Sequence, residues 1–233
     1  MRAPLSIIIP TLDAEPRLPE TVSALFEGLD TGLVRELVVS DAGLSDGIAA
    51  LADKLGATLV TGAPGRGQQL HHGALAAKGD WLLFLHADTI LDAGWSKTVL
   101  HHIADHPERA GYFRLQFDVP GMAPRIVAGW SNVRSRVFRL PYGDQGLLIS
   151  RRLYGQSGGY EPIALMEDVA MARRLRGRLT PLNCMARTSA AKYQRDGWWR
   201  RSMRNFRTLL LYKMGVPPHR LVAQYERKLR SKL

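Results

Sequence analysis

Trp81-Leu82-Leu83-Phe84-Leu85-His86-Ala87-Asp88 is the stretch on which the fold turns. An unbroken apolar run reads as a strand buried on both faces, and it stops at an imidazole and a carboxylate. Working back toward the N-terminus, the same design recurs. Leu5-Ser6-Ile7-Ile8-Ile9 is β-branched and ends at Pro10-Thr11. Glu36-Leu37-Val38-Val39 ends at Ser40-Asp41, and residues 57–61 give a third, shorter strand. Between these strands the apolar spacing becomes helical. Leu18, Val22, Leu25, Phe26 and Leu29 predict one helix, residues 48–55 a second and 68–78 a third.

Strands that alternate with helices predict an α/β fold with a mainly parallel sheet covered by helices. In such sheets ligands bind beyond the carboxyl ends of the strands. The polar clusters fall in those places: Thr11 to Glu15, Asp41 to Asp46, and His86 to Asp88. Beyond Asp88 the pattern predicts a helix over 94–106, an extended segment around Tyr112 to Val119 and a strand over 145–150. Helices follow over 167–178, 198–213 and 218–229. No internal repeat, low-complexity tract or linker interrupts the sequence. The expectation is therefore one domain over residues 1–233, with a nucleotide-binding half to about residue 92, an acceptor and catalytic half over about 93–197, and basic helices over about 198–233.

A length of 233 residues supports a full core without staples. The single cysteine, Cys184, can make neither an internal disulfide nor a zinc site by itself, which favours a reducing compartment. No window approaches the roughly 20 apolar residues of a membrane span, and the N-terminal apolar run is too short for a signal peptide. A cytoplasmic protein is expected. The net charge of +11 favours anionic ligands, and the excess is concentrated in Arg195, Arg200, Arg201, Arg204 and Arg207.

Asp88 at a strand end reads equally as a helix cap or as a carboxylate ligand for Mg²⁺ or Mn²⁺. His86 would add an imidazole, which suits Mn²⁺ better. Asp41 is placed to accept hydrogen bonds from a base or ribose. Gly65-Arg66-Gly67-Gln68-Gln69 opens a helix, where glycines, a helix N-terminus and an arginine suit phosphate. It lacks the ending of a P-loop. Glu167 and Asp168 open another helix. Acids are common there, but two adjacent ones face different ways, and Asp168 is placed to take a proton from an attacking hydroxyl with Glu167 beside it. The stretch from Lys192 through Trp198 and Trp199 to Arg201 is basic and aromatic. It reads as an amphipathic helix with a solvated basic face, as a segment closing over a diphosphate, or as a helix lying on anionic lipid.

Taken in order, these motifs resemble the family 2 glycosyltransferases of the GT-A fold, from Ser6 to about Trp199. The resemblance rests on Ile7-Ile8-Ile9-Pro10-Thr11, Val38-Val39-Ser40-Asp41, Gly65-Arg66-Gly67, Phe84-Leu85-His86-Ala87-Asp88 and Glu167-Asp168. Tyr142-Gly143-Asp144-Gln145-Gly146 is similar to a small, single-domain, soluble subgroup. The resemblance implies an inverting, metal-assisted transfer of a sugar from a nucleoside diphosphate donor, with uridine the commonest base, to a hydroxyl acceptor. It implies Pro10, Thr11, Asp13 or Glu15, and Asp41 around the nucleotide, and Arg66 and Gln69 near the nucleotide or diphosphate. Asp88 and His86 would serve the metal and Asp168 would be the base. Asp144, Gln145, Arg195, Trp198 and Trp199 would lie on the diphosphate or acceptor side. The family's paired Asp-x-Asp is here His86-Ala87-Asp88, so one carboxylate is missing, and residues 195–199 look like a degenerate Gln/Arg-x-x-Arg-Trp motif. The alternatives are a sugar-phosphate nucleotidyltransferase and a non-enzymatic protein that binds nucleic acid or membrane through its charge. The first would carry a Gly- and Lys-rich loop after the first strand, where Pro10 and acids stand. No zinc finger, RNA-recognition signature or basic heptad supports nucleic acid binding.

Overall fold

The computed structural model describes residues 3–12, 17–43 and 46–222. Asp13, Glu15 and the part of the expected last helix beyond residue 222 lie outside the described residues. The first half contributes Leu5–Thr11 (β1), Leu18–Leu25 (α1), Glu27–Asp30 (α2), Val34–Asp41 (β2), Asp46–Lys54 (α3), Thr58–Thr61 (β3), Arg66–Ala76 (α4) and Trp81–Phe84 (β4). Then come Thr89–Leu91 (β5), Trp95–Asp105 (α5), Ala110–Phe117 (β6) and Met122–Phe138 (α6). A 3-10 turn at Gly143–Gln145 leads into Leu147–Ser150 (β7) and Arg151–Gln156 (α7). Glu167–Arg174 (α8), Leu179–Thr188 (β8), Ala191–Asp196 (α9) and Trp198–Lys213 (α10) complete the elements.

All strands join one sheet in the order β3-β2-β1-β4-β7-β6-β8-β5. β1 to β4 pair in parallel, as does β6 with β8, while the β4–β7, β7–β6 and β8–β5 contacts are antiparallel. The sheet is therefore mixed and mainly parallel. Alternation along its central strands divides the core between two faces. Ile7, Ile9, Val39, Leu83 and Leu85 pack on one side with Leu18, Ile48 and Trp95. Ile8, Val38, Leu82 and Phe84 pack on the other with Leu70, Leu153 and Val169. Strands buried on both faces have no polar side to show, which is why their sequences read as continuous apolar runs.

Several elements differ from the sequence expectation. The first helix breaks at Phe26 into α1 and α2. The helix after Glu167 stops at Arg174. β5, α6, α7, β8 and α9 were not anticipated. β8 carries Pro181, which cannot donate to a ladder, and the β6–β8 register shifts between Tyr112 and Arg114, next to Pro181's partner. α10 has the expected limits, and Arg200 and Arg207 are solvated as expected, but its apolar row is not the buried side. Its apolar residues Trp199, Met203, Phe206 and Leu210 face outward, while Arg201 and Arg204 turn inward to pair with Asp196. Among the described residues no helix is long and apolar enough to cross a membrane.

Candidate active site at the carboxyl edge of the sheet

The carboxyl ends of β1, β2 and β4 lie along one edge, and a cleft of about 310 Å³ opens beyond β4. Its walls come from distant parts of the chain. Arg66 starts α4, His86 and Asp88 follow β4, and Tyr142, Gly143 and Asp144 form the turn before β7. Glu167 and Asp168 open α8. Lys192, Tyr193 and Arg195 come from α9, and Arg201, Asn205 and Thr208 from α10. A small inner cavity of about 20 Å³ continues from it past His86, Gly143 and Asp168 toward Phe84 and Tyr160.

Two glycines set how closely these walls approach. A Cβ on Gly67 would lie 2.1 Å from the Glu161 carbonyl oxygen and 2.6 Å from that of Ile163. Gly67 also donates its N–H to the Ile163 carbonyl. The close approach foreseen for a phosphate at residues 65–67 is thus made by the chain's own loop leading into α8. A Cβ on Gly143 would meet His86 Nε2 at 2.5 Å. The turn before β7 therefore lies flat against the imidazole.

Asp168 is held from two sides. Its Oδ2 accepts the Gly143 N–H at 2.9 Å and its Oδ1 accepts its own helix's Val169 N–H at 2.7 Å. A carboxylate has about four lone-pair sites, so both oxygens keep capacity for another partner. Glu167 is buried and pairs with Arg66, Nη1 to Oε1, at 3.4 Å. Burial pushes its carboxyl up to about 7, with Arg66 opposing and Asp168 reinforcing the rise. Asp144 is driven by burial to about 6, against the pull of Arg134, with Asp168 and Asp88 adding repulsion. Its Oδ1 is buried without a partner. Burial, then the charges of Arg66 and Lys192, hold His86 well below the usual imidazole range, so it stands neutral. Asp88 turns its carboxylate into the cleft with Lys192 Nζ 3.9 Å from Oδ2. On the α9 side, burial disfavours a charged Asp196. Hydrogen bonds from Arg204, Arg195 and Arg201 outweigh that and keep it well below the usual carboxylate range.

The cleft thus gathers Arg66, His86, Asp88, Asp144, Glu167, Asp168 and Arg195 from the sequence-derived set. Others lie elsewhere. Pro10, Thr11 and Asp41 sit at the ends of β1 and β2, outside the cleft lining. Asp41 is buried, accepts the Thr11 hydroxyl at 2.6 Å through Oδ1, and leaves Oδ2 buried without a partner. Gln69 was placed near the nucleotide or diphosphate, but its amide nitrogen is committed to the carbonyls of Thr11 and Ser40. Gln145 is buried beneath the turn, accepting from Ser135 and donating to the Phe113 carbonyl. It braces β6 and α6 and does not reach the cleft. Trp198 packs on Phe117 and Tyr193, and Trp199 is on the outer surface.

Little in the sequence points to the α9–α10 wall. Lys192 and Arg201 stood out only as members of a basic run, and Tyr193, Asn205 and Thr208 carried no signal of their own. Among the described residues, no three or more His, Cys, Asp or Glu side chains converge to hold a metal by themselves.

The comparisons with known proteins agree with this architecture. Residues 6–122, half of the chain, match the sequence profile described as Glycosyl transferase family 2. The glucosyl-3-phosphoglycerate synthase of Mycolicibacterium paratuberculosis is 30% identical over 95 residues, which are 37% of this chain and 29% of that protein. The matched stretch is thus less than a third of that relative. Glucosyl-3-phosphoglycerate synthase from Mycobacterium tuberculosis, solved with Mn²⁺, UDP and phosphoglyceric acid, superposes with a TM-score of 0.60 over 92% of this chain and 80% of that one, at 18% identity. S. aureus TarS 1-349, solved with UDP-GlcNAc, gives 0.59 over 79% of this chain and 58% of that one, at 16% identity. At such identities the likeness speaks for the fold, and the fold is GT-A. The profile runs through β1, β2, β4 and the His86-Ala87-Asp88 corner, so the strands that build the ligand edge are the ones it recognises: the chain belongs to the family 2 glycosyltransferases.

Proposed function

We propose that the chain transfers a sugar from a nucleoside diphosphate donor, with UDP favoured as the nucleotide, to a hydroxyl acceptor in the cleft, with inversion at the anomeric carbon. The observation that carries this reading is the meeting of Asp88, Asp144 and Asp168 with Arg66, Lys192, Arg195 and Arg201 in one cleft beyond the sheet. Solved structures of the same fold contain UDP with Mn²⁺ or UDP-GlcNAc, which supports the donor class.

In this reading Asp168 takes the proton of the acceptor hydroxyl as its oxygen bonds to the anomeric carbon, and the bond from that carbon to the diphosphate breaks. The Gly143 N–H keeps the carboxylate aimed. Arg66, Lys192 and Arg201 supply positive charge where the departing diphosphate gathers its negative charge. The orphaned Oδ2 of Asp41 would accept from the base or ribose.

A divalent cation fits the residues present. Asp88 offers a carboxylate oxygen, Asp144 Oδ1 lacks a partner, and neutral His86 offers a nitrogen in place of a missing carboxylate. Such a small protein set is complete only with diphosphate oxygens, in keeping with the lack of a preformed cluster among the described residues. When bound, the cation would neutralise the diphosphate as a leaving group.

The test is a thermal-shift screen of nucleoside diphosphates with and without Mn²⁺, followed by incubation with the matching sugar nucleotides. Stabilisation by a nucleoside diphosphate and its release from the sugar nucleotide are expected. Pyrophosphate-dependent exchange without such release would replace transfer with nucleotidyl chemistry.

A further inference from the structure

The outer face of the C-terminal half has a composition that the cleft does not explain. On α6, Met122, Ile126, Trp130, Val133 and Val137 recur at helical spacing and all are exposed, Met122 by 79%, Trp130 by 56% and Val137 by 64%. The opposite side of α6, with Val127, Ala128 and Ser131, is buried against the protein. On α10 and its C-cap Met214, Trp199, Met203, Phe206, Leu210 and Met214 form a second outward row, with Trp199 63% and Met203 67% exposed. The two helices contact each other. At about 100° per residue, Arg125 and Arg136 border one edge of the first row, and Arg200 and Arg207 one edge of the second. Neither Met122–Phe138 nor Trp198–Lys213 contains an Asp or Glu.

Exposed apolar rows of this extent mark interaction surfaces. Their surroundings select the occupant. Helices with Trp, Phe and Met on one side and only basic charges beside them match the boundary between lipid headgroups and acyl chains. A second copy offering the same face would bring like charges together, and a nucleic acid would leave the exposed Met122, Ile126, Val133, Val137, Met203 and Leu210 without an apolar partner. We propose that α6 and α10 together dock this protein onto an anionic lipid bilayer, with the apolar rows inserted at the acyl boundary and the flanking arginines on the headgroup phosphates. Juxtaposed basic residues add to such binding through the negative surface potential. The proposal does not depend on the transfer chemistry, because none of these docking residues lines the cleft.

Cosedimentation of the full chain with vesicles tests it. Binding to mixed phosphatidylglycerol and phosphatidylcholine vesicles is expected, with little binding to phosphatidylcholine alone. Trp130→Ser with Trp199→Ser should lower the partition coefficient by about tenfold or more. Arg125→Glu with Arg207→Glu should lower it by about the same factor on anionic vesicles only. These side chains are on the surface, and an unchanged far-UV circular dichroism spectrum will show that the variants fold. Brominated acyl chains should quench wild-type tryptophan fluorescence and lose that effect with Trp130→Phe and Trp199→Phe. Equal binding to neutral and anionic vesicles, or undiminished binding by the Trp130→Ser and Trp199→Ser variant, would overturn the proposal. So would a stable dimer that ignores vesicles and separates in that variant, since a second copy would then own the face.

Discussion

Asp41 and Asp88 look alike in the sequence, each an aspartate following a buried strand, yet the fold uses them differently. Asp41 is sealed at the end of β2, its carboxylate tied to Thr11 and the neighbouring carbonyls clamped by Gln69. Asp88 stands free of β4, with its carboxylate in the cleft and Lys192 at the far limit of an ion pair. The first is chiefly frame, joining β1, β2 and α4, with one oxygen, Oδ2, left without a partner for the proposed nucleotide. The second lines the cleft, on the surface proposed to meet a ligand. An acid at a strand end thus announces the binding edge, and only its neighbours from other elements decide whether it supports that edge or works at it.

Substitutions can break this distinction. The largest effect should come from Asp168→Asn, a change wholly within the cleft. Turnover, followed as nucleoside diphosphate release, should fall by about 10²–10⁴-fold while donor binding and melting temperature stay near wild type. Near-normal turnover would remove Asp168 as the base. Asp88→Ala should weaken Mn²⁺-dependent donor binding by at least about tenfold in a titration, with little change in melting temperature. If it melts the protein instead, Asp88 belongs with the frame.

Asp41→Ala should do the reverse. It strands the buried Thr11 hydroxyl and should cost about 1–3 kcal/mol in denaturant unfolding, as well as weakening nucleotide binding with or without metal. The smallest effect is a slope. Folding raises the Glu167 carboxyl from its ordinary 4.5 to about 7, so the folded chain holds a proton that the unfolded chain releases. Stability should therefore fall as pH rises from about 4.5 to about 7, then level off. Glu167→Gln should flatten that fall in melting curves taken across the range. An unchanged slope would show that the Arg66 pairing offsets the burial of Glu167.

The same division explains what the sequence could disclose. β1, β2 and β4 were legible because both their faces are buried, and the convergence of Asp88 and Asp168 on one cleft was legible because element ends are where ligands meet such sheets. β8 was hidden by Pro181, although its side chains alternate between buried and exposed positions. α6 was hidden because Pro124 and Gly129 interrupt its pattern and its buried side carries Pro124, Ala128, Ser131 and Ser135 in place of large apolar residues. Residues 65–67 were read as a phosphate loop because glycine reveals a close approach without revealing to what. The neighbour, Glu161 to Ile163, lies almost a hundred residues away. The walls formed by α9 and α10 depend on how those helices lie across the cleft, which no local pattern encodes.

One helix borders two environments. The inner side of α10 gives Arg201, Asn205 and Thr208 to the cleft, while its outer side carries the apolar row. Gly197 and Gly215, with φ of 84° and 90°, stand beside its two ends in a backbone conformation that other residues adopt only with strain. Because one backbone carries both rows, replacing either glycine by a residue with a side chain should disturb the cleft wall and the outer row together.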